Sequence, residues 1–421
     1  MDYFLIDGGA KLAGSVTIGG AKNAALPIMA ASILTEGETV LCGVPELADV
    51  DHLMQLLGQL GLSCRREADG SLHLRVEDDS QCHAEYDLVR KMRASVCVMG
   101  PLLARRGRAQ VSMPGGCTIG YRPIDLHLKG MRSLGADVQL IGGDVHLRAD
   151  RLRGAEIFLG GPFGSTVTGT ANVMMAAALA KGTTVVESAA CEPEIADLAE
   201  FLNACGAKIR GHGSPKIVIE GVERLTGCRY TIIPDRIEAG TFMMAAAITD
   251  GELRLVNGRM DHLLAVVEVL RHCGASVERD GDEVVVAAGR KLMPATVATQ
   301  PYPGYPTDLQ AQLMALLSRA AGNSVITEKI FPDRFLHVAE LNRMGARLRK
   351  EGATVIVEGV AQLIGAPVMA SDLRASAAMV LAGLAAKGQT RVSRVYHIDR
   401  GYEQIEAKLA AVGAAIRRLS E

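Results

Sequence analysis

Six stretches rich in Ala, Met and Leu each open on residues that can bind or transfer charge. They begin with Lys22-Asn23; with Arg90, Lys91 and Arg93; with Gly164-Ser165-Thr166; with Asp235-Arg236-Ile237-Glu238; with Thr307-Asp308; and with Asp372-Leu373-Arg374. Such stretches read as buried helices, whose first turns leave N–H groups unpaired at the positive end of the helix dipole, a setting that suits anions. Ser, Thr and Asp there also serve as N-caps, and for Asp235, Thr307 and Asp308 that plainer role stands beside the chemical one. A cap does not account for Lys22, Arg93 and Arg374. A cation at a helix N-terminus opposes the dipole unless an anion lies between them, so three in equivalent places point to a polyanionic ligand.

A second group with chemistry is the thiol of Cys117, in Pro114-Gly115-Gly116-Cys117-Thr118-Ile119-Gly120-Tyr121-Arg122-Pro123. The Pro and Gly residues around it read as an exposed loop. Arg122 and His127 lie close enough in sequence to lower the thiol pKa and make it reactive; the alternative is an incidental thiol. Asp399-Arg400-Gly401-Tyr402-Glu403 and Pro332-Asp333-Arg334-Phe335 each set an Arg in a turn, where a solvated charge is the competing reading. Gly160-Gly161-Pro162-Phe163-Gly164 has the look of a phosphate cradle, but the chain carries neither the Walker nor the Rossmann glycine pattern. No two His residues are spaced as metal ligands, so neither a metal nor an organic cofactor is expected.

The elements that must position these groups recur. The six apolar stretches end in Gly37, Gly107, Gly182, Gly251, Gly322 and Gly388, at intervals of 70, 75, 69, 71 and 66 residues, and a β-branched run follows each. A second glycine comes 23 to 28 residues later, at Gly61, Gly135, Gly206, Gly274, Gly345 and Gly413, closing a more charged, amphipathic stretch. Both glycines suit left-handed C-caps, so each unit reads as helix, strand, helix, strand, with further strands closing it. The first helix of each unit is apolar nearly all round and therefore buried; the second is outside. These are α/β subdomains packed around their own helices.

At 421 residues the chain calls for two or three domains. A net charge of −2 supplies no overall field for nucleic acid or a membrane surface, and 4% aromatic residues without Trp supply no stacking platform for single strands. The start Met-Asp-Tyr-Phe is acidic where a signal peptide would be basic, and apolar runs such as 173–180 are far too short to span a bilayer. Nine scattered cysteines without Cys-x-x-Cys pairs read as reduced thiols. The expectation is a cytoplasmic protein that binds small molecules.

The motifs Gly19-Gly20-Ala21-Lys22-Asn23-Ala24-Ala25, Arg93-Ala94-Ser95, the Cys117 loop, Pro234-Asp235-Arg236-Ile237-Glu238, Pro306-Thr307-Asp308, Arg334-Phe335, Asp372-Leu373-Arg374-Ala375-Ser376 and His397–Glu403 run the whole length of the chain. Together they resemble the enolpyruvyl transferase family. The resemblance implies two inside-out α/β barrel domains built from six repeated subdomains, three per domain, closing over a cleft. One domain would hold residues 22–232, and the other 1–21 plus 233–421. The implied reaction moves the enolpyruvyl group of phosphoenolpyruvate to the 3-hydroxyl of UDP-N-acetylglucosamine, with loss of phosphate, for peptidoglycan synthesis.

By the same resemblance Lys22, Arg93, Arg122, Arg334, Arg374 and Arg400 bind phosphoenolpyruvate. Cys117 is the acid at C3 and the group that fosfomycin alkylates. Asp308 is the base near the 3-hydroxyl, with Lys22 also catalytic. Asn23, Arg122, Pro123, Asp125, Leu126, Asp308 and Gly164 meet the UDP-sugar, while Asp235 and Glu238 orient cations or take part in closure. The chain departs from the family at 160–164, where no Lys or Arg lies between Gly154 and Ala180. That departure leaves open a different nucleotide sugar, and a non-catalytic UDP-sugar-binding regulator is the further alternative.

Overall fold

The computed structural model describes residues 1–113 and 123–420. The described residues divide into two compact units, one of residues 20–113 with 123–233, called the 20–233 unit below, and one of residues 1–19 with 234–420. The Cys117 loop from 114 to 122 lies outside the described residues.

Six inner helices follow the six apolar stretches: α1 (Lys22–Ala31), α2 (Met99–Arg106), α3 (Val167–Ala177), α4 (Arg236–Ile248), α5 (Gln310–Leu317) and α6 (Leu373–Ala385). Their composition sets their place. With Ala, Met and Leu on every side they have no face to give to water, and every residue of α4 and α5 is buried. In the 234–420 unit α4, α5 and α6 pack on one another in pairs. In the other unit α2 packs on α3, and α1 packs on the 3-10 turn Arg93–Val98 that leads into α2. Gly100 permits a close approach: a Cβ there would stand 2.3 Å from the carbonyl oxygen of Asn172. Truncating a buried anchor such as Met243 to Ala would cost about 2–5 kcal/mol.

Each inner helix feeds a four-stranded sheet with one repeated order. In the second unit of the repeat it runs His83–Ala84, Arg108–Ser112, Asp144–Arg148, Asp137–Ile141. The first pair is parallel because α2 is its crossover; the others are antiparallel, and Asp137–Ile141 with Asp144–Arg148 forms a hairpin. The sheets thus carry Val, Ile and Leu inward against the helices, and the helices form the interior of each unit.

Three strands are exchanged along the chain, and this closes each set of three subdomains. Strand Ala13–Thr17 precedes α1 yet pairs with Glu252–Val256, the strand after α4. Strand Arg229–Thr231 precedes α4 yet pairs with Glu38–Cys42, the strand after α1. The last sheet takes its missing strand from the N-terminus: Asp2–Asp7 lies between Gln389–Ser393 and Ala415–Ser420.

Eleven of the twelve repeat glycines adopt positive φ, as the turn chemistry requires. The exception is Gly251. There Asp250 takes the left-handed conformation at φ 52°, and Gly251 is needed for space, since a Cβ would stand 2.3 Å from the Leu12 carbonyl oxygen. Among the described residues no helix is long and apolar enough to cross a membrane, and no cluster of three His, Cys, Asp or Glu side chains is placed to hold a metal ion.

Candidate active site

In the 234–420 unit three of the expected residues converge. The turn Thr307–Leu309 leads into α5, and neither Thr307 nor Asp308 caps it with a side chain. Asp308 instead spans two arginines, accepting from Arg334 Nη1 at 2.8 Å and from Arg374 Nη2 at 2.8 Å. Burial pushes the Asp308 carboxyl up, but Arg374 and Arg334 outweigh it and hold the group well below the usual carboxylate range. Its side chain keeps 26% exposure, so the carboxylate remains within reach of a ligand. Arg374 sits in the first turn of α6 behind Asp372, which caps that helix by accepting from the Arg374 and Ala375 N–H groups. The Arg374 guanidinium is 2% exposed, stands 5.4 Å from the centre of the Tyr402 ring, and among the described residues has no hydrogen-bond partner at Nε or Nη1. Buried donors left so are a standing demand for an acceptor.

Glu328 holds this corner together. Fully buried, its carboxylate accepts from Thr299 Oγ1 (2.7 Å), Thr307 Oγ1 (2.9 Å), Ile330 N (2.8 Å) and Phe331 N (2.9 Å). Thr307 Oγ1 in turn accepts from Arg334 Nη1 at 3.0 Å, so one acid fixes the start of α5 and the Arg334 loop together. Arg400 ends the 3-10 turn Val395–Arg400, and the residue before it is clamped: Arg418 donates to both oxygens of Asp399 and to Glu406 at 2.7 Å. Asp235 is the N-cap of α4, accepting from Ile237 N at 2.7 Å and Glu238 N at 3.0 Å. Glu238, almost wholly buried, accepts from Lys408 Nζ at 2.7 Å and from Gly19 N at 2.8 Å. Burial raises its pKa, opposed by Lys408.

The remaining described residues belong to the 20–233 unit. Lys22 is the first residue of α1, buried, with Nζ 3.1 Å from Asp49 Oδ2; Asn23 follows, half-buried. A carboxylate of the protein itself thus stands with the cation that opposes the helix dipole, as Asp308 does for Arg374. Arg93 donates to the Pro123 carbonyl oxygen at 3.1 Å. Pro123 and Asp125 are exposed, and Leu126 is half-buried at the start of helix Asp125–Ser133. Gly164 pairs with Gly161 in a two-residue ladder, so the departing segment at 160–164 is a tight hairpin rather than an open cradle. Cys117 and Arg122 lie outside the described residues.

One expectation is corrected. His127 brings no positive charge to the Cys117 loop, because its ring is buried and its pKa is pushed down to about 3 by desolvation, assisted by Arg93. Its partners fix the tautomer. Asn172 takes the Gly100 N–H at Oδ1 (2.8 Å) and gives Nδ2 to the Val96 carbonyl (2.9 Å), so it is a donor toward His127 Nδ1 (2.9 Å). The ring proton is therefore on Nε2, which donates to Thr168 Oγ1 at 3.1 Å. Asn172, Asp49 and Glu328 were not marked out by motif. Asn172 had a signal, as a lone amide inside an Ala/Met run; Glu328, beyond the end of strand Asn323–Thr327, had none.

The model for EPSP synthase (3-phosphoshikimate 1-carboxyvinyltransferase) matches residues 6–409. The chain belongs to the EPSP synthase family. Its relatives within that family include a UDP-N-acetylglucosamine 1-carboxyvinyltransferase of Methylacidiphilum infernorum, 52% identical over 419 residues, covering 100% of this chain and 99% of the relative. Another of the same name, from Nitratidesulfovibrio vulgaris, is 53% identical over 422 residues, with both chains covered in full. Among solved structures, the enolpyruvyl transferase NikO from Streptomyces tendae superposes with a TM-score of 0.89 at 25% identity, over 100% of this chain and 99% of that one. EPSP synthase from Acinetobacter baumannii superposes at 0.74 with 19% identity over the whole of both chains, which bears on the fold. The fold is the two-domain, inside-out α/β architecture of these proteins.

Proposed function

We propose that this family member transfers the enolpyruvyl group of phosphoenolpyruvate to the 3-hydroxyl of UDP-N-acetylglucosamine and releases phosphate, a step of peptidoglycan synthesis in the cytoplasm. The observation that carries the reading is the Asp308–Arg334–Arg374 cluster, a carboxylate between two buried cations, in a chain 52% identical to a protein of that name. Addition–elimination at an enol phosphate needs cations for phosphate and carboxylate, an acid for C3 and a base for the attacking hydroxyl.

Lys22, Arg93, Arg122, Arg334, Arg374 and Arg400 supply the positive charge. Cys117 protonates C3, which makes C2 electrophilic. Asp308 takes the proton of the sugar 3-hydroxyl as its oxygen bonds to C2. Collapse of the adduct then breaks the C2–O bond to phosphate, and loss of a C3 proton restores the double bond. Asn23, Pro123, Asp125, Leu126 and Gly164 hold the nucleotide sugar. Fixing both substrates in this way converts a bimolecular encounter into an oriented one.

The test is phosphate release from phosphoenolpyruvate with UDP-N-acetylglucosamine as acceptor, without added metal or nucleoside triphosphate. Release with a different UDP-sugar alone would refute the acceptor, a result that the hairpin at 160–164 makes the specific second reading. No release with any acceptor would refute the enzyme reading. Intact-mass analysis after fosfomycin treatment should place one adduct, on Cys117; an adduct on another thiol would refute its role.

A further inference from the structure

The repeat register places equivalent residues ten positions before the glycine that ends each apolar stretch: Pro27, Cys97, Asn172, Thr241, Gln312 and Ala378. In the 234–420 unit two of these are polar, inside an otherwise apolar helical core, and both reach the hydroxyl of Tyr402. Thr241 Oγ1 lies 2.8 Å from that hydroxyl, and Gln312 Nε2 lies 3.0 Å from it. Tyr402 is 1% exposed, Thr241 2%, and Gln312 is fully buried.

The hydrogens in this group can be assigned. Thr241 spends its own hydrogen on the Ile237 carbonyl at 2.8 Å, so it accepts from Tyr402. Gln312 must present its amide nitrogen, because it also meets the Asp308 carbonyl oxygen at 3.0 Å, which can only accept, and Thr241 Oγ1 more distantly at 3.3 Å. The order is therefore Gln312 N–H to Tyr402 O–H to Thr241 O–H to Ile237 carbonyl. One end of the chain grips the backbone of Asp308. The Tyr402 ring lies beneath the Arg374 guanidinium, 5.4 Å from it, and Arg374 holds the Asp308 carboxylate at 2.8 Å. Packing alone would be served by a Phe at 402 and an apolar residue at 312. Among the described residues the amide even leaves its own Oε1 without a partner, a cost that packing does not return.

We propose that Tyr402 is a positioning residue for the reaction proposed above: through its hydroxyl, Gln312 and Thr241 set the backbone of Asp308, and through its ring it sets Arg374. The inference rests on the enolpyruvyl-transfer reading for its kinetic consequence. Its binding consequence, a shift in affinity for inorganic phosphate at Arg374, stands apart from that reading.

The experiment compares Tyr402→Phe, Gln312→Met and the double variant with the unaltered protein. Tyr402→Phe keeps the ring and removes one oxygen. The expected result is a kcat lowered about tenfold to a hundredfold, the scale of a small misplacement of catalytic groups. KM for the nucleotide sugar should stay within about twofold, and inorganic phosphate should bind severalfold more weakly. Gln312→Met should show the same pattern, and the double variant should lose no more kcat than the worse single one, because both cut one chain. A Tyr402→Phe protein with kcat and phosphate affinity both within about twofold of the original overturns the proposal. So does a loss that multiplies in the double variant and tracks falling thermal stability, as a general core defect would. If the unaltered protein releases no phosphate from phosphoenolpyruvate, the underlying reading fails, and the phosphate-binding comparison still decides the positioning role.

Discussion

Asp308→Asn should make the protein bind inorganic phosphate more tightly while abolishing turnover. Asp308 occupies the space between Arg334 and Arg374 with a hydrogen bond of 2.8 Å to each, so an incoming anion competes with it. A hydrogen bond to a charged group contributes about 1.5–3 kcal/mol net, and phosphate must displace at least one. A neutral amide holds the guanidiniums far less, so at about 1.4 kcal/mol per factor of ten the gain in phosphate affinity is roughly tenfold to a hundredfold. The same change leaves two buried cations uncompensated and should lower stability without ligand by about 3–5 kcal/mol, part of which phosphate restores.

The carboxyl is held well below its ordinary value, so it contributes stability that is present above the unfolded pKa and lost as pH falls through the folded one. Between about pH 5 and 8 it stays ionised, and wild-type phosphate affinity should show no step from Asp308. Isothermal titration of phosphate into both proteins at neutral pH, with urea unfolding alongside, reads both quantities. Equal or weaker phosphate binding by Asp308→Asn would refute the competition and leave Asp308 as a group that only orients the arginines.

Three further outcomes follow from other sites. The buried Asp197 carboxyl is pushed up to about 6 by desolvation, against the hydrogen bond from Tyr230. The folded state then holds the proton more tightly, so stability falls as pH rises from about 4 to 6, and Asp197→Asn should flatten that limb in urea melts taken across the range. His127 should give nitrogen chemical shifts of a neutral ring protonated at Nε2 at pH 5, where an exposed imidazole would be charged. Glu328→Ala should cost about 3–5 kcal/mol in chemical unfolding by removing a buried charge that four donors share, while Glu328→Gln, which keeps an acceptor, should cost clearly less.

The repeat was legible because its punctuation is chemical. A left-handed turn after each helix asks for glycine, and two such demands per unit kept constant phase over the whole chain. The helix starts carrying Lys22, Arg93 and Arg374 were legible for the opposite reason, as charges set against a dipole. What the pattern did not carry is pairing between distant residues. Arg334 and Arg374 stand 26 and 66 residues from Asp308, and only the fold reveals that the protein supplies its own anion to them. The exchange of strands Ala13–Thr17 and Arg229–Thr231 was likewise invisible, since each looks like an ordinary short β run beside its own helix. His127 was misread because proximity along a loop says nothing of burial, which here removes the charge the argument needed.

The N-terminal strand has a consequence for how the chain is made. Asp2–Asp7 cannot pair when it is synthesised, because its neighbours Gln389–Ser393 and Ala415–Ser420 are translated much later. The unit of residues 20–233 can complete its sheets once Arg229–Thr231 has emerged, whereas the other must wait for Ala415–Ser420. Asp2 lies opposite Ser420, so these two positions, far apart in sequence, are neighbours. A permuted gene that joins them through a short turn and opens at Gly142-Gly143 would turn the longest-range pairing in the molecule into a local hairpin. Such a chain should assemble its last sheet as soon as that segment is synthesised.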